Sequence, residues 1–110
     1  MSDATSRFRL AVVDRVLHGP GVSSTAARQA AFDNRDVDSR AQALVDTVAR
    51  HAWKVTDAQV AATLAAGLSE DAVFELTVCA AVGQATRQIS AALAALDEAA
   101  GSPAAGGGAR

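Results

Sequence analysis

The sequence predicts an all-α fold, a bundle of about five helices, from three observations. Apolar residues recur at three- and four-residue spacings in several segments. β-branched residues never alternate with polar ones over a useful length, so no strand signal competes. Alanine, the strongest helix former, occupies 28 of the 110 positions. We therefore expect residues 1–100 to form one helical domain.

Two helices are predicted in the first third of the chain. Apolar positions at helical spacing run over residues 8–17, and a Gly-Pro-Gly segment ends that helix. Ser23 or Ser24 can cap a short second helix over residues 25–32, because a serine hydroxyl accepts a free N–H of the first turn. A polar turn follows, in residues 33–39.

Two more helices are predicted in the middle of the chain. An apolar stripe from Ala41 to Ala52 indicates a third helix that ends near Trp53. Thr56 and Gln59 have the spacing of a capping box and begin a fourth helix. This helix is expected to end at residues 66–67, where glycine follows alanine.

A long fifth helix is predicted after Ser69, which can cap it, with Glu70 and Asp71 in the first turn. Gly83 is the position where an interruption is expected. The remaining segment, residues 101–110, has nothing to bury and is predicted to be a disordered tail. The apolar seam of the helix consists of Val73, Leu76, residues 79–81, Ile89, Leu93 and Leu96.

Composition excludes several kinds of partner. A net charge of −2 and a pI near 5.5 provide no electrostatic attraction for nucleic acid or anionic lipid. The N-terminus lacks an apolar segment for export or membrane insertion, so we expect a cytoplasmic protein without membrane contact. Cys79 is the single cysteine, so we expect no internal disulfide, no metal and no cofactor.

The small side chains of the predicted core favour self-association. Alanine buries little area, and only Phe8, Phe32, Trp53 and Phe74 are aromatic. A domain of about 100 residues with such a core gains stability from neighbours. We therefore expect a homo-oligomer, although an alanine- and arginine-biased genome accounts for the composition equally well.

Residues 65–96 carry a family resemblance. Their Gly-Leu-Ser-Glu-Asp turn and the following Phe-Glu-Leu helix are similar to the carboxymuconolactone decarboxylase-like family, which includes the AhpD-like (alkylhydroperoxidase D-like) proteins. The similarity covers residues 45–96. It implies an AhpD-like helical bundle that assembles as a trimer or hexamer. In redox members a Cys-x-x-Cys-x-x-x-His motif precedes the turn, and its positions hold Ala52, Val55 and Gln59 here.

Without that motif, the resemblance implies a degenerate active site, and Cys79, Glu75 and His51 are the remaining catalytic candidates. Cys79 lies among apolar neighbours, where burial would raise its pKa and leave it as a packing residue. Glu75 is more often a cap or an arginine partner than a general acid. His51 is either an exposed neighbour of Arg50 or, facing a pocket lined by Trp53, a general base.

Residues 60–76 also have the spacing of a helix-turn-helix, with Gly67 in the turn. The recognition helix would present Glu70, Asp71 and Glu75 to the DNA phosphates, which repel carboxylates. Its first basic residue, Arg87, lies too far along the helix to enter a groove. We therefore exclude DNA binding.

Two function hypotheses follow from the sequence. The first is an AhpD-like protein that lacks thiol peroxidase chemistry and acts as an oligomeric binding or structural protein for a small molecule or a protein segment. The second is an enzyme with a peroxidase-related or decarboxylase-like reaction that uses His51, Glu75 and Cys79.

Overall fold

The computed structural model describes residues 3–101 and confirms an all-α fold for that part of the chain. No strand occurs between residues 3 and 101. Apart from Gly101, the last residue of the fifth helix, the predicted tail lies outside the described residues. The elements are α1 (Asp3–His18), α2 (Thr25–Asp33), α3 (Gln42–His51), a 3-10 turn (Ala52–Lys54), α4 (Asp57–Ala65) and α5 (Glu70–Gly101).

Side-chain caps set the starts of three helices, as the sequence predicts. The hydroxyl of Ser24 accepts the Ala27 N–H at 3.0 Å, and Thr56 accepts the Gln59 N–H at 3.2 Å. Ser69 accepts the N–H of residue 72 at 3.1 Å. These caps satisfy backbone donors that the first helical turn leaves without partners.

The core lies where α2 and α3 pack against the first half of α5. Its buried apolar side chains are Leu17, Ala31, Phe32, Ala41, Leu44, Val45, Val48, Val73, Leu76, Cys79 and Ala80. α5 passes through this core without a break, so the prediction of an interruption at Gly83 is wrong. The lack of a Cβ at residue 83 instead permits a close approach to the backbone of α2.

α1 runs antiparallel to α5. Val16 contacts Cys79, whereas residues nearer the start of α1 face residues 82–90. The 32 residues of α5 correspond to a helix about 48 Å long, which extends the molecule to 58 × 27 × 21 Å. From residue 94 onward every α5 residue is exposed. No helix among residues 3–101 is long and apolar enough to cross a membrane.

Several residues predicted to belong to apolar stripes are in fact exposed. Phe8 is 70% exposed and Leu96 is 65% exposed. Phe8 lies at an open groove between α1 and α5, and Leu96 lies in the part of α5 where every residue is exposed. Ala52 and Ala81 are also exposed. Trp53, at the predicted end of the third helix, is 77% exposed.

Candidate functional site

The polar candidates on α5 meet the α1–α2 loop, residues 19–24. Glu75 and Cys79 are one helical turn apart on α5, so their side chains point toward the same side of the helix. Each contacts a different part of the preceding chain: Glu75 binds the loop, and Cys79 binds the last turn of α1. The structure thus brings two of the three catalytic candidates together.

Glu75 accepts two backbone hydrogen bonds from the α1–α2 loop. Its carboxylate oxygens lie 2.8 Å from the Val22 nitrogen and 2.7 Å from the Ser23 nitrogen. Burial by itself raises the pKa of Glu75, but these hydrogen bonds and the charge of Arg28 outweigh it and leave the pKa lowered. Glu75 is therefore a fixed carboxylate rather than a proton donor. Because both N–H groups precede Ser24, the cap of α2, Glu75 holds the loop and does not cap a helix.

Arg28, on α2, binds the same loop from the other side. Its side chain is buried and donates to the carbonyl oxygens of Gly19 at 2.7 Å and Ser23 at 3.1 Å. Glu75 supplies the opposite charge nearby. Sequence reasoning missed Arg28, because one arginine in an alanine-rich helix gives no signal of burial. We name Arg28, Glu75 and the loop they hold the loop clasp.

A small cavity of about 130 Å³ adjoins the loop clasp. Arg28 and Glu75 are among its lining residues, together with the exposed ring of Phe74. Both charged side chains already use their polar atoms to hold the loop. The cavity is also smaller than the roughly 300–1,000 Å³ of common small-molecule sites. The contacts of Arg28 and Glu75 are therefore explained by their structural role, which is to hold the α1–α2 loop.

Cys79 is buried, as its apolar sequence neighbours predict, with 1% of its surface exposed. Its thiol donates to the Val16 carbonyl at 3.3 Å. Burial raises the pKa of Cys79, and the charge of Arg28 only partly opposes that shift. The reactive thiolate is therefore disfavoured, and an oxidant has little access to the sulfur.

Ala52, Val55 and Gln59, which the resemblance compares with the redox motif, lie around the turn between α3 and α4. The side-chain amide of Gln59 donates to the Thr47 hydroxyl at 3.0 Å and to the Ala43 carbonyl at 3.3 Å. It therefore joins α4 to α3 instead of closing the predicted capping box. Ala52 begins the 3-10 turn, and Val55 packs against the edge of the core.

His51 lies apart from the other two candidates. It ends α3 with an exposed ring, whose centroid is 5.2 Å from that of Trp53 in a T-shaped contact. No hydrogen bond or ion pair within the described chain connects it to Glu75 or Cys79. His18, at the end of α1, is exposed as well.

A larger cavity lies between the first half of α1 and the second half of α5. This α1–α5 groove has a volume of about 450 Å³ and is mainly apolar, with Phe8, Val12, Val13, Val82 and Ile89 among its lining residues. Arg9 also lines it, and the Arg9 Nε is buried without a hydrogen-bond partner among residues 3–101. A buried donor of this kind costs free energy unless a further group accepts from it.

The fold and these contacts define an all-helical protein with an internal polar clasp and an open apolar groove. No cluster of three metal-ligating side chains occurs among the described residues. No protein-family model, curated protein or solved structure matches the chain.

Glu75→Gln is expected to lower the free energy of unfolding at neutral pH by about 1–2 kcal/mol, because a neutral amide accepts the loop N–H groups less strongly than a carboxylate does. The pKa of Glu75 is lower in the folded chain than its ordinary value of 4.5. Its stabilising contribution is therefore fully present above that value and is lost as the pH falls through the folded pKa.

Urea unfolding of the wild type and Glu75→Gln across about pH 7 to pH 3 tests this prediction. The difference in stability between the two proteins should shrink as the pH falls. Asp14→Asn is a matched control, because Asp14 is exposed on α1 and lies outside the first turn of a helix. A difference that stays constant with pH would contradict the proposed role of the Glu75 charge.

Proposed function

We propose that the chain is a carboxymuconolactone decarboxylase-like (AhpD-like) protein that has lost thiol peroxidase chemistry and acts as an oligomeric binding or structural protein. The observation that carries this proposal is the state of Cys79. The only sulfur nucleophile in the sequence is buried, hydrogen-bonded to a backbone carbonyl and shifted toward the neutral thiol. Peroxide attack requires a thiolate that the oxidant can reach.

The family assignment rests on the sequence of the turn and helix in residues 65–96, which resembles that family. At the histidine position of the redox motif, Gln59 connects two helices. A glutamine cannot exchange a proton near neutral pH. In this chain a structural contact therefore stands where redox members of the family have the histidine of the motif.

Binding or assembly is supported by the apolar surface of the molecule. Phe8, Leu10 and Leu96 are each at least 65% exposed, and the α1–α5 groove opens beside the first of them. Contiguous exposed apolar surface commonly marks a site of association. Family resemblance implies a trimer or a hexamer, and the cytoplasm is the compartment expected from the sequence.

The enzymatic alternative requires His51, Glu75 and Cys79 to act together. Two of these residues are committed to backbone hydrogen bonds within one molecule. His51 would have to reach them from another subunit. No contact in the described residues favours the enzyme over the binding protein. The two hypotheses predict different results in the experiment that follows.

Native protein treated briefly with an organic hydroperoxide and then with a sulfenic-acid trap should show no added mass. Protein unfolded in urea before treatment should be trapped at Cys79, since unfolding exposes the thiol. Cys79→Ser provides the background signal. Rapid stoichiometric trapping of the folded protein would contradict the proposal, as would a decarboxylase or peroxidase turnover that His51→Ala abolishes.

A further inference from the structure

We propose that α1 is a displaceable strap, which leaves the rest of the helical bundle as one unit when the loop clasp opens and so uncovers the thiol of Cys79. This inference goes beyond the proposed function and does not depend on it, because it concerns how firmly one helix is held. Three features support it: the sparse burial of α1, the polar attachment of the loop that follows, and the position of Cys79 beneath the last turn of α1.

α1 buries little of its surface. Leu17 is the one buried residue among the 16 of this helix, and Val13 and Val16 are partly buried against the core. By contrast, α3 buries four of its 10 residues. Elements with few buried apolar contacts open at a lower free energy than the whole domain. α1 is therefore suited to leave the bundle without global unfolding.

The α1–α2 loop is held by polar contacts rather than by buried apolar side chains. None of residues 19–24 is buried, and Val22 is 63% exposed. The four hydrogen bonds of the loop clasp, two from Arg28 and two to Glu75, attach the loop to α2 and α5. Because the loop continues directly from α1, these bonds also restrain the end of that helix.

Cys79 lies beneath the segment that the loop clasp restrains. Its sulfur is 3.3 Å from the carbonyl oxygen of Val16, in the last turn of α1. Arg28 binds the carbonyl oxygen of Gly19, three residues further along the chain. Opening of the loop clasp therefore frees the turn that covers the thiol. Departure of α1 would also open the α1–α5 groove, since α1 forms one of its walls.

One opening would change both the access to Cys79 and its ionisation. With α1 in place the thiol is buried, and burial raises its pKa. With α1 displaced the thiol is solvated and has the reactivity of an ordinary cysteine. The charged groups that act on Cys79 in the folded chain are Arg28 and Glu75, the same two residues that form the loop clasp.

Labelling of Cys79 in the native protein tests the strap. The folded wild type is incubated with N-ethylmaleimide over hours, at urea concentrations below the unfolding transition, and the labelled fraction is read from the intact mass. Labelling should be slow and should depend only weakly on urea, because release of one helix exposes less surface than global unfolding does. The rate for the chain unfolded in urea gives the intrinsic reactivity of the thiol in each variant.

Loosening the loop clasp should accelerate this labelling. Glu75→Gln and Arg28→Met should each raise the rate in the absence of urea by about tenfold or more, since each removes charge-assisted hydrogen bonds to the loop. Val48→Ala is the matched control, because Val48 is buried on α3, outside the loop clasp. This change lowers global stability but should leave the labelling rate without urea within about twofold of the wild type.

Hydrogen exchange resolved by peptide provides a second readout that is independent of cysteine chemistry. The amides of residues 3–18 should exchange together and faster than those of residues 42–51, which belong to α3. Glu75→Gln should accelerate exchange in the first group by about the same factor as the labelling of Cys79. The second group should respond only to the loss of global stability.

Two results overturn the strap. The first is labelling that follows the full urea dependence of global unfolding in the wild type and in both loop-clasp variants, which means that only complete unfolding uncovers Cys79. The second is exchange of α1 and α3 amides at the same rate. Either result leaves the proposed loss of thiol chemistry intact. Conversely, an enzymatic turnover that His51→Ala abolishes would contradict the proposed function and leave the strap unaffected.

Discussion

Gly83→Ala is expected to abolish folding or to lower the free energy of unfolding by about 3 kcal/mol or more. A Cβ at this position would contact the Phe32 carbonyl oxygen directly and would lie 2.7 Å from the Phe32 carbonyl carbon and 2.9 Å from its Cα. All three atoms belong to the backbone of α2, so no flexible side chain can move aside. Separating α2 from α5 would open the main core contact of the molecule.

This expectation is opposite in sign to the one that helix propensity alone would give. Alanine is about 1 kcal/mol more favourable than glycine within a helix. Gly101→Ala is the matched control, because a Cβ at that position of the same helix would meet no atom within 4 Å. Circular dichroism and urea unfolding of both variants provide the comparison. A stability for Gly83→Ala equal to that of the wild type would contradict the close approach of α2 and α5.

Arg28→Met is expected to lower the free energy of unfolding by about 3 kcal/mol, because a charge-assisted donor to two carbonyl groups is removed from a buried position. The methionine preserves much of the side-chain volume. The carbonyl oxygens of Gly19 and Ser23 lose their guanidinium partner. Glu75 simultaneously loses the positive charge that helps to keep its pKa low.

The loop clasp also predicts coupling between its two charged residues. Arg28→Met and Glu75→Gln should together cost less than the sum of the separate changes, since each one disables the same loop contact. Arg35→Met is the control for general arginine loss, and we expect its effect to stay within about 0.5 kcal/mol because its side chain is exposed. Additive effects of the first pair would show that the two residues act independently.

Secondary structure could be predicted from the sequence because its determinants are local. Three helix starts depend on a serine or threonine that accepts an N–H three residues ahead, and Ser24, Thr56 and Ser69 do so. The burial of Cys79 followed from apolar neighbours on one helix. These features require no knowledge of how distant segments meet.

The polar contacts of the candidate site could not be predicted in the same way. Glu75 and the residues it binds, Val22 and Ser23, are separated by more than 50 positions. Arg28 carries no local signal that distinguishes it from the exposed arginines. Gln59 has a capping position, yet its amide crosses to α3 because Thr47 and the Ala43 carbonyl lie within reach there.

The sequence by itself determined an all-helical chain with five helices, the side-chain caps of three of them, and the absence of a thiol pair. Tertiary structure alone decided which apolar residues are covered and which polar residues hold the loop. It turned the expected break at Gly83 into a close backbone contact of the core, and it left Leu96 and Trp53 exposed. The physical reason is that periodicity and capping act within one or two turns, whereas burial depends on where separate helices meet.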